Sequence, residues 1–157
     1  MHRAKAYLAA PLFNGRERAF NMEMAARLDP FCDVFLPQRD GMLLAELLTD
    51  GMTVEAAETL IFERDRSAMT QATLLVAILD GAHIDEGVAF EIGFACALGV
   101  HCIGFQSDVR RALPSGNNPM IGRSLSAIFS DVDELLQYVS CELGQTETPL
   151  KLERPMA

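Results

Sequence analysis

Glu91 is the only charged residue between Gly87 and Val100. A carboxylate in so apolar a run must reach water or be held by partners, because burying it bare is very costly. Structural ion pairs are the main competitor to a functional role, and no basic residue lies nearby in sequence. Gly87 precedes Glu91 by four residues, one helical turn back on the same side, so no side chain covers the carboxylate from below and a ligand has room. Three further residues could work with it: Asp65, Asp85 and Tyr7. Acidic groups without a metal suit chemistry at an acetal-like carbon. One carboxylate attacks, or stabilises an oxocarbenium ion, while another group handles the leaving-group proton. That is glycosyl transfer or hydrolysis. The three helpers each have a plainer reading as well: Asp85 as a helix N-cap, Asp65 as part of a solvated helix face in the run Glu63-Arg64-Asp65-Arg66, and Tyr7 as core packing with its hydroxyl at the rim.

Other chemistries find no support. No GxxxxGK[ST] occurs and no GxGxxG follows the first apolar run, so a nucleoside triphosphate or dinucleotide site is not expected. His2, His83 and His101 are far apart and lack paired carboxylate or thiol spacing, so neither a metal nor any other cofactor is expected. No GxSxG or Cys/His arrangement suggests an acyl-enzyme. The net charge of −9 argues against a nucleic-acid partner and is easier to reconcile with a neutral small molecule. Cys32, Cys96, Cys102 and Cys141 show no CxxC spacing and read as reduced core thiols of a cytosolic protein. No signal pattern, bilayer-length apolar run or internal repeat is visible, so no membrane partner is expected and the localisation expected is cytoplasmic. At 157 residues, half of them hydrophobic, the chain reads as a single domain over 1–157, with a patternless C-terminal tail at 145–157.

The elements that must position these side chains alternate along the chain. Residues 5–10 form a short strand ended by Pro11, and 14–28 a helix with Asn14 as cap and Phe20, Met24 and Leu28 at four-residue spacing. A second strand at 32–36 stops at Pro37, 38–41 is a turn, and 42–48 a short helix. A longer helix starts at Thr53 and runs toward Ala72, acidic at its beginning as the helix dipole favours. The unbroken apolar run 74–80, halted by Asp80-Gly81, is a strand buried on both faces of a parallel sheet. The helix carrying Glu91 follows, with Asp85 as cap, Val88, Ile92 and Ala95 along one face, and Gly99 at its end. After it come a strand at 101–105, a loop at 113–119 and a last helix at 132–143. This alternation specifies an α/β, three-layer, flavodoxin/Rossmann-like fold: a central parallel sheet, taken as five-stranded, flanked by helices. Ligands in such folds bind at the carboxyl ends of the strands, along which 7–13, 38–41 and 80–87 would all lie.

Several stretches together resemble the nucleoside 2-deoxyribosyltransferases: Tyr7 to Phe13; the Glu17, Phe20, Asn21 helix; Val34 to Asp40; and above all Asp85-Glu-Gly-Val-Ala-Phe-Glu91-Ile-Gly-Phe-Ala95. The resemblance spans about residues 5–125, and Asn118-Pro-Met120 is similar to the family's Asn-x-Met segment. It implies a cytoplasmic, cofactor-free enzyme of nucleoside salvage, acting on deoxynucleosides and free nucleobases. Glu91 would be the nucleophile on the anomeric carbon, with Tyr7 bonded to it to keep it ionised and aimed. Asp65 would contact the base and exchange its proton, and Asp85 would bind the sugar hydroxyls. Phe13, Gln38, Asp40 and Gly87 are the implied substrate contacts of the same chain. Asn118 and Met120 would complete the site of a neighbouring subunit, which makes a homo-oligomer the expected state. The residues after Pro37 depart from the family's range and leave purine or pyrimidine preference open. Relatives that hydrolyse nucleoside 5′-monophosphates place a serine and an arginine after the first strand, whereas Ala9-Ala10-Pro11-Leu12 has neither. N-glycosidic hydrolysis is therefore the alternative reading, and a non-catalytic nucleoside-binding module is the alternative of a different class.

Overall fold

The computed structural model describes residues 3–110 and 116–144. Its strands are β1 (Lys5–Ala9), β2 (Asp33–Phe35), β3 (Leu74–Ile78), β4 (His101–Phe105) and β5 (Ala127–Phe129). The helices are α1 (Gly15–Leu28), α2 (Pro37–Asp40), α3 (Leu44–Thr49), α4 (Val54–Gln71), α5 (Glu86–Ala97), α6 (Pro119–Ser124) and α7 (Val132–Glu142). All five strands are parallel, in the order β2-β1-β3-β4-β5. The fold is thus the expected three-layer α/β arrangement with a five-stranded sheet. Its direction of winding reverses at β1, which creates a crevice between the carboxyl ends of β1 and β3.

Strand periodicity divides the core. Ala6 and Leu8 of β1 face α1 and α7, where Met24, Ala25, Leu28, Leu135 and Val139 are buried against them. Tyr7 and Ala9 point to the opposite layer and meet Met69 of α4 and Val88, Ile92 and Ala95 of α5. Every residue of β3 is buried, as a strand covered on both faces requires. α5 is bounded as its sequence suggests. Asp85 Oδ1 accepts from Val88 N at 3.0 Å, and Gly99 follows the helix with φ of +75°, a conformation that favours glycine.

Several expectations need correcting. The fifth strand lies at Ala127–Phe129, where three residues of mixed burial leave almost no alternation to read. The presumed turn after Pro37 is one turn of helix, α2, because proline suits the first helical position and lacks only an amide that would be unpaired there anyway. The loop at 113–119 gives way to α6 at Pro119, while its residues 113–115, like the tail at 145–157, lie outside the described residues. The four cysteines are free, yet Cys96 is exposed and not a core thiol. Among the described residues no helix is long and apolar enough to cross a membrane.

α2 can close because Gly41 approaches Pro37 closely. Gly41 N donates to Pro37 O at 3.0 Å, and a Cβ at Gly41 would stand 2.4 Å from that same carbonyl oxygen. Backbone cannot yield as a side-chain tip does. Gly41→Ala is expected to lower the unfolding free energy by roughly 1–3 kcal/mol in a denaturant titration. An unchanged midpoint would contradict the packing of this turn.

Candidate active site

Tyr7 lies mid-strand in β1, fully buried, with Phe35 of β2 and Leu75 of β3 as its register partners. Its ring stacks on Phe35 with centroids 5.6 Å apart, so the phenol has one direction in which to project. It projects toward α5, where Tyr7 OH donates to Glu91 Oε1 at 2.5 Å. This bond joins residues 84 apart in sequence and is short even for a hydroxyl donor. Glu91 is held there because its neighbours on the helix, Val88, Ile92 and Ala95, are buried against the sheet.

The surroundings are dry and acidic. Burial lifts the Glu91 carboxyl to about 8, the Tyr7 bond pulls it back only in part, and Asp65 and Asp85 add like-charge repulsion. The Tyr7 bond thus favours the ionised form of Glu91, as expected, against a larger opposing effect of burial. The phenol itself is pushed above its ordinary range by burial and by the adjoining carboxylates, so it remains the donor. Asp65, from the middle of α4, is raised to about 6, mainly by burial, and its Oδ1 is buried with no hydrogen-bond partner among the described residues. Such an oxygen is costly unless something arrives to meet it. Tyr7, Glu91, Asp65 and Asp85 thus form one electrostatic cluster at the crevice between β1 and β3.

The remaining sequence candidates are placed differently. Gly87 is exposed, and a Cβ there would meet only Asp85 Oδ1, at 3.0 Å, so the approach to the carboxylates is otherwise open. Phe13 is 76% exposed in the loop after β1, and Met120 is 79% exposed on α6. Asn118 caps α6, its side chain accepting from Met120 N at 2.9 Å. Gln38 uses both ends of its amide: Oε1 accepts from Asn21 Nδ2 at 2.9 Å, and Nε2 donates to Arg18 O at 2.9 Å. Asp40 accepts from Leu36 N at 2.9 Å and from Arg39 Nε at 3.0 Å. Both side chains hold α2 in place, and a direct contact from either to a base would require these bonds to be exchanged.

Three sets of bonds made by residues already singled out escape sequence reasoning. Asn21, 1% exposed, ties α1 to the exit of β1 through Pro11 O at 2.8 Å as well as to Gln38. Its only signal is an asparagine on the buried side of an amphipathic helix. Asp80, at the carboxyl end of β3, accepts from Ser107 N at 2.6 Å, Ser107 Oγ at 2.7 Å and Asp108 N at 2.8 Å, fastening β3's exit to β4's. Glu17 Oε2 accepts from Phe13 N at 2.8 Å and Asn14 N at 3.2 Å, while Asn14 Oδ1 takes Arg16 N and Glu17 N. Four amides after β1 are therefore already engaged, two of them by a carboxylate. Together the cluster offers a desolvated carboxyl for nucleophilic attack, a phenol to aim it, and a second carboxyl able to carry a proton near neutral pH.

The model of the nucleoside 2-deoxyribosyltransferase family matches residues 6–149. Comparison with curated protein sequences finds no match. A 2-deoxyribosyltransferase from the psychrotolerant bacterium Bacillus psychrosaccharolyticus is similar in structure with a TM-score of 0.73 at 27% identity, over 89% of this chain and 96% of that one. A conserved protein from Enterococcus faecalis V583 gives 0.71 at 26%, over 89% and 99%. The Clostridium botulinum CMP N-glycosidase BcmB gives 0.54 at 17%, over 88% and 98%, a likeness of fold alone.

The raised Glu91 carboxyl has a consequence for stability. A glutamate with the ordinary value of 4.5 is ionised in the unfolded chain while the folded chain holds the proton up to about 8. Between these values the unfolded state binds fewer protons, so Glu91's contribution is fully present below the lower value and is lost as pH climbs through the upper. Glu91→Gln removes that loss. The melting temperature of the variant is expected to gain on the wild type as pH rises from about 5 to about 8; a constant difference across that window would show that the carboxyl is not desolvated.

Proposed function

We propose, since this chain belongs to the nucleoside 2-deoxyribosyltransferase family, that it transfers the 2-deoxyribosyl group between nucleobases by double displacement through Glu91. The observation that carries this reading is the bond from Tyr7 OH to Glu91 Oε1 where burial raises the carboxyl, which leaves the other carboxylate oxygen to react. Ionised Glu91 attacks the anomeric carbon of a 2′-deoxynucleoside. The C–N bond breaks, its electron pair leaves with the base, and the base takes up a proton. Asp65, raised to about 6, is suited to give that proton and take it back. The product is a deoxyribosyl ester of Glu91. A nitrogen of a second base attacks the same carbon, the ester C–O bond breaks, the incoming base loses its proton, and Glu91 regains its carboxylate. Two inversions restore the original configuration.

Asp85 spends one oxygen on Val88 N, and its second oxygen suits a sugar hydroxyl. Exposed Phe13 offers a face for a base, and Gly87 leaves the approach clear. Asn118 and Met120, exposed on α6, suit contact with a neighbouring copy's sugar, so the reading includes a homo-oligomer. It extends to a cytosolic, cofactor-free enzyme of nucleoside salvage. Unphosphorylated substrates are favoured over 5′-monophosphates, because the Glu17 carboxylate occupies two of the amides after β1 and would repel a phosphate there.

Incubation with deoxyinosine, alone and with adenine, separates the outcomes. Transfer requires that deoxyadenosine forms and that hypoxanthine is released far faster with the acceptor than without it. Equal release in both would mean hydrolysis, and binding with no release would mean a binding module. A slow 2′-fluoro-deoxynucleoside is expected to leave a sugar adduct on the peptide containing Glu91, read by mass spectrometry. Glu91→Ala should abolish the adduct and lower exchange by on the order of a thousandfold or more. An adduct on any other residue overturns the assignment. Because Glu91 must be ionised while Asp65 holds the proton it gives, kcat/KM should be bell-shaped in pH, with limbs near 6 and 8 and a maximum between them.

A further inference from the structure

Asp65 must reach the pocket from α4, yet the side of α4 toward the edge strand is poorly filled. A cavity of about 320 Å³ separates the helix from the β1–β2 edge, lined by Lys5, Asp33, Phe35, Arg64, Ser67 and Gln71 among others. Side chains one position apart on a helix diverge by about 100°. Arg64 therefore turns to the edge strand while Asp65 turns to Tyr7. The Arg64 guanidinium lies over the Phe35 ring, 5.9 Å from its centroid, and its Nη2 donates to Asp40 O at 3.2 Å. Phe35 also stacks on Tyr7. A chain of contacts thus runs Arg64, Phe35, Tyr7, and ends at Glu91 through the phenol. Among the described residues Arg64 forms no ion pair, so its charge is not neutralised by a carboxylate contact.

We infer that Arg64 is a positioning residue: by clamping α4 onto Phe35 and the α2 turn across this cavity, it fixes where Asp65 stands relative to Tyr7 and Glu91. The inference rests on the proposed function only for what Asp65 does to a base. The groups facing Asp65 are Tyr7 from β1 and Glu91 from α5, with Asp85 beyond Glu91; Arg64 is the cation that acts on it. Burial raises the Asp65 carboxyl and Arg64 draws it down, so the clamp also sets the pH range in which Asp65 exchanges a proton. Lysine in its place would keep the charge but lose the planar fork that stacks and donates together.

Arg64 is exposed, so Arg64→Met and Arg64→Lys should both fold. With carboxyl-labelled aspartate, NMR titration of Arg64→Met should show the Asp65 midpoint above that of wild type, by about half a unit to one unit. Arg64→Lys should titrate close to wild type. In the exchange assay both variants are expected to lower kcat, by about tenfold for Arg64→Met, and to raise KM for the deoxynucleoside, since Asp65 both meets the base and moves its proton. Should Arg64→Met leave midpoint and KM unchanged, or should both variants move the midpoint equally, the inference fails. The NMR arm needs no turnover, so a wild type that exchanges no bases would overturn the proposed function while the titration still decides the role of Arg64.

Discussion

A hydrogen bond between a buried phenol and a carboxyl in the same dry space constrains this molecule more than any other contact. Tyr7 OH can meet Glu91 at 2.5 Å only if β1 lies inside the sheet, if Tyr7 points to the α5 layer, and if α5 crosses β1 near its own N-terminus. The strand order supplies the first condition, and the two-residue period of β1 supplies the second. Asp85 supplies the third, since its cap decides where α5 begins and hence which turn Glu91 occupies. A slip of one residue in β1 would send the phenol to the α1 face, among Leu28 and Val76, where the hydroxyl would have no such partner.

The electrostatic cost of that arrangement is visible around it. Glu91 and Asp65 are both raised by burial, and among the described residues Asp65 Oδ1 has no hydrogen-bond partner. A pocket selected for folding alone would pair these groups with cations or replace them with apolar side chains. The nearest guanidinium, Arg64, instead stands behind Phe35 and reaches Asp40 O. Positive charge is thus kept one layer away, close enough to moderate Asp65 and too far to neutralise Glu91. On the proposed reading a deoxysugar and a base supply the missing polar partners, so the unpaired oxygens are where ligand binding has most to gain.

Much of this was legible in the sequence wherever a local signal and a long-range one coincided. The α5 segment carries a cap, an apolar stripe, a terminal glycine and one carboxylate out of place, and all four lie where the spacing put them. β3 announced itself as an unbroken apolar run. Short elements did not: Ala127–Phe129 and Pro119–Ser124 are too brief for a period to show. The partners of polar side chains were equally hidden. Nothing in the spacing of Asn21, Gln38 and Asp40 reveals that all three hold α2 in place, because those bonds depend on where α1 and β2 meet. Nor does periodicity show whether desolvation or a hydrogen bond prevails at Glu91; that balance is set by how deeply Val88 and Ile92 draw the helix onto the sheet.

The site is accordingly built at two levels of rigidity. Tyr7, Glu91 and Asp85 belong to β1 and the first turns of α5, elements fixed by buried apolar contacts that do not depend on any ligand. Phe13, Gln38, Asp40 and Met120 sit on loops and one- or two-turn helices, and the first three are attached by a few polar bonds: Glu17 to Phe13 N, Gln38 to Asn21 and Arg18 O, and Asp40 to Leu36 N and Arg39. Each such bond is worth about 1 kcal/mol net, and so can be exchanged for a contact to an incoming base at little cost. Displacing Glu91 would instead unpack Val88 and Ile92, at a few kcal/mol each. On the proposed reading, bond exchange at the sugar is carried by the part of the fold least able to change, and discrimination among bases falls to the part most able to.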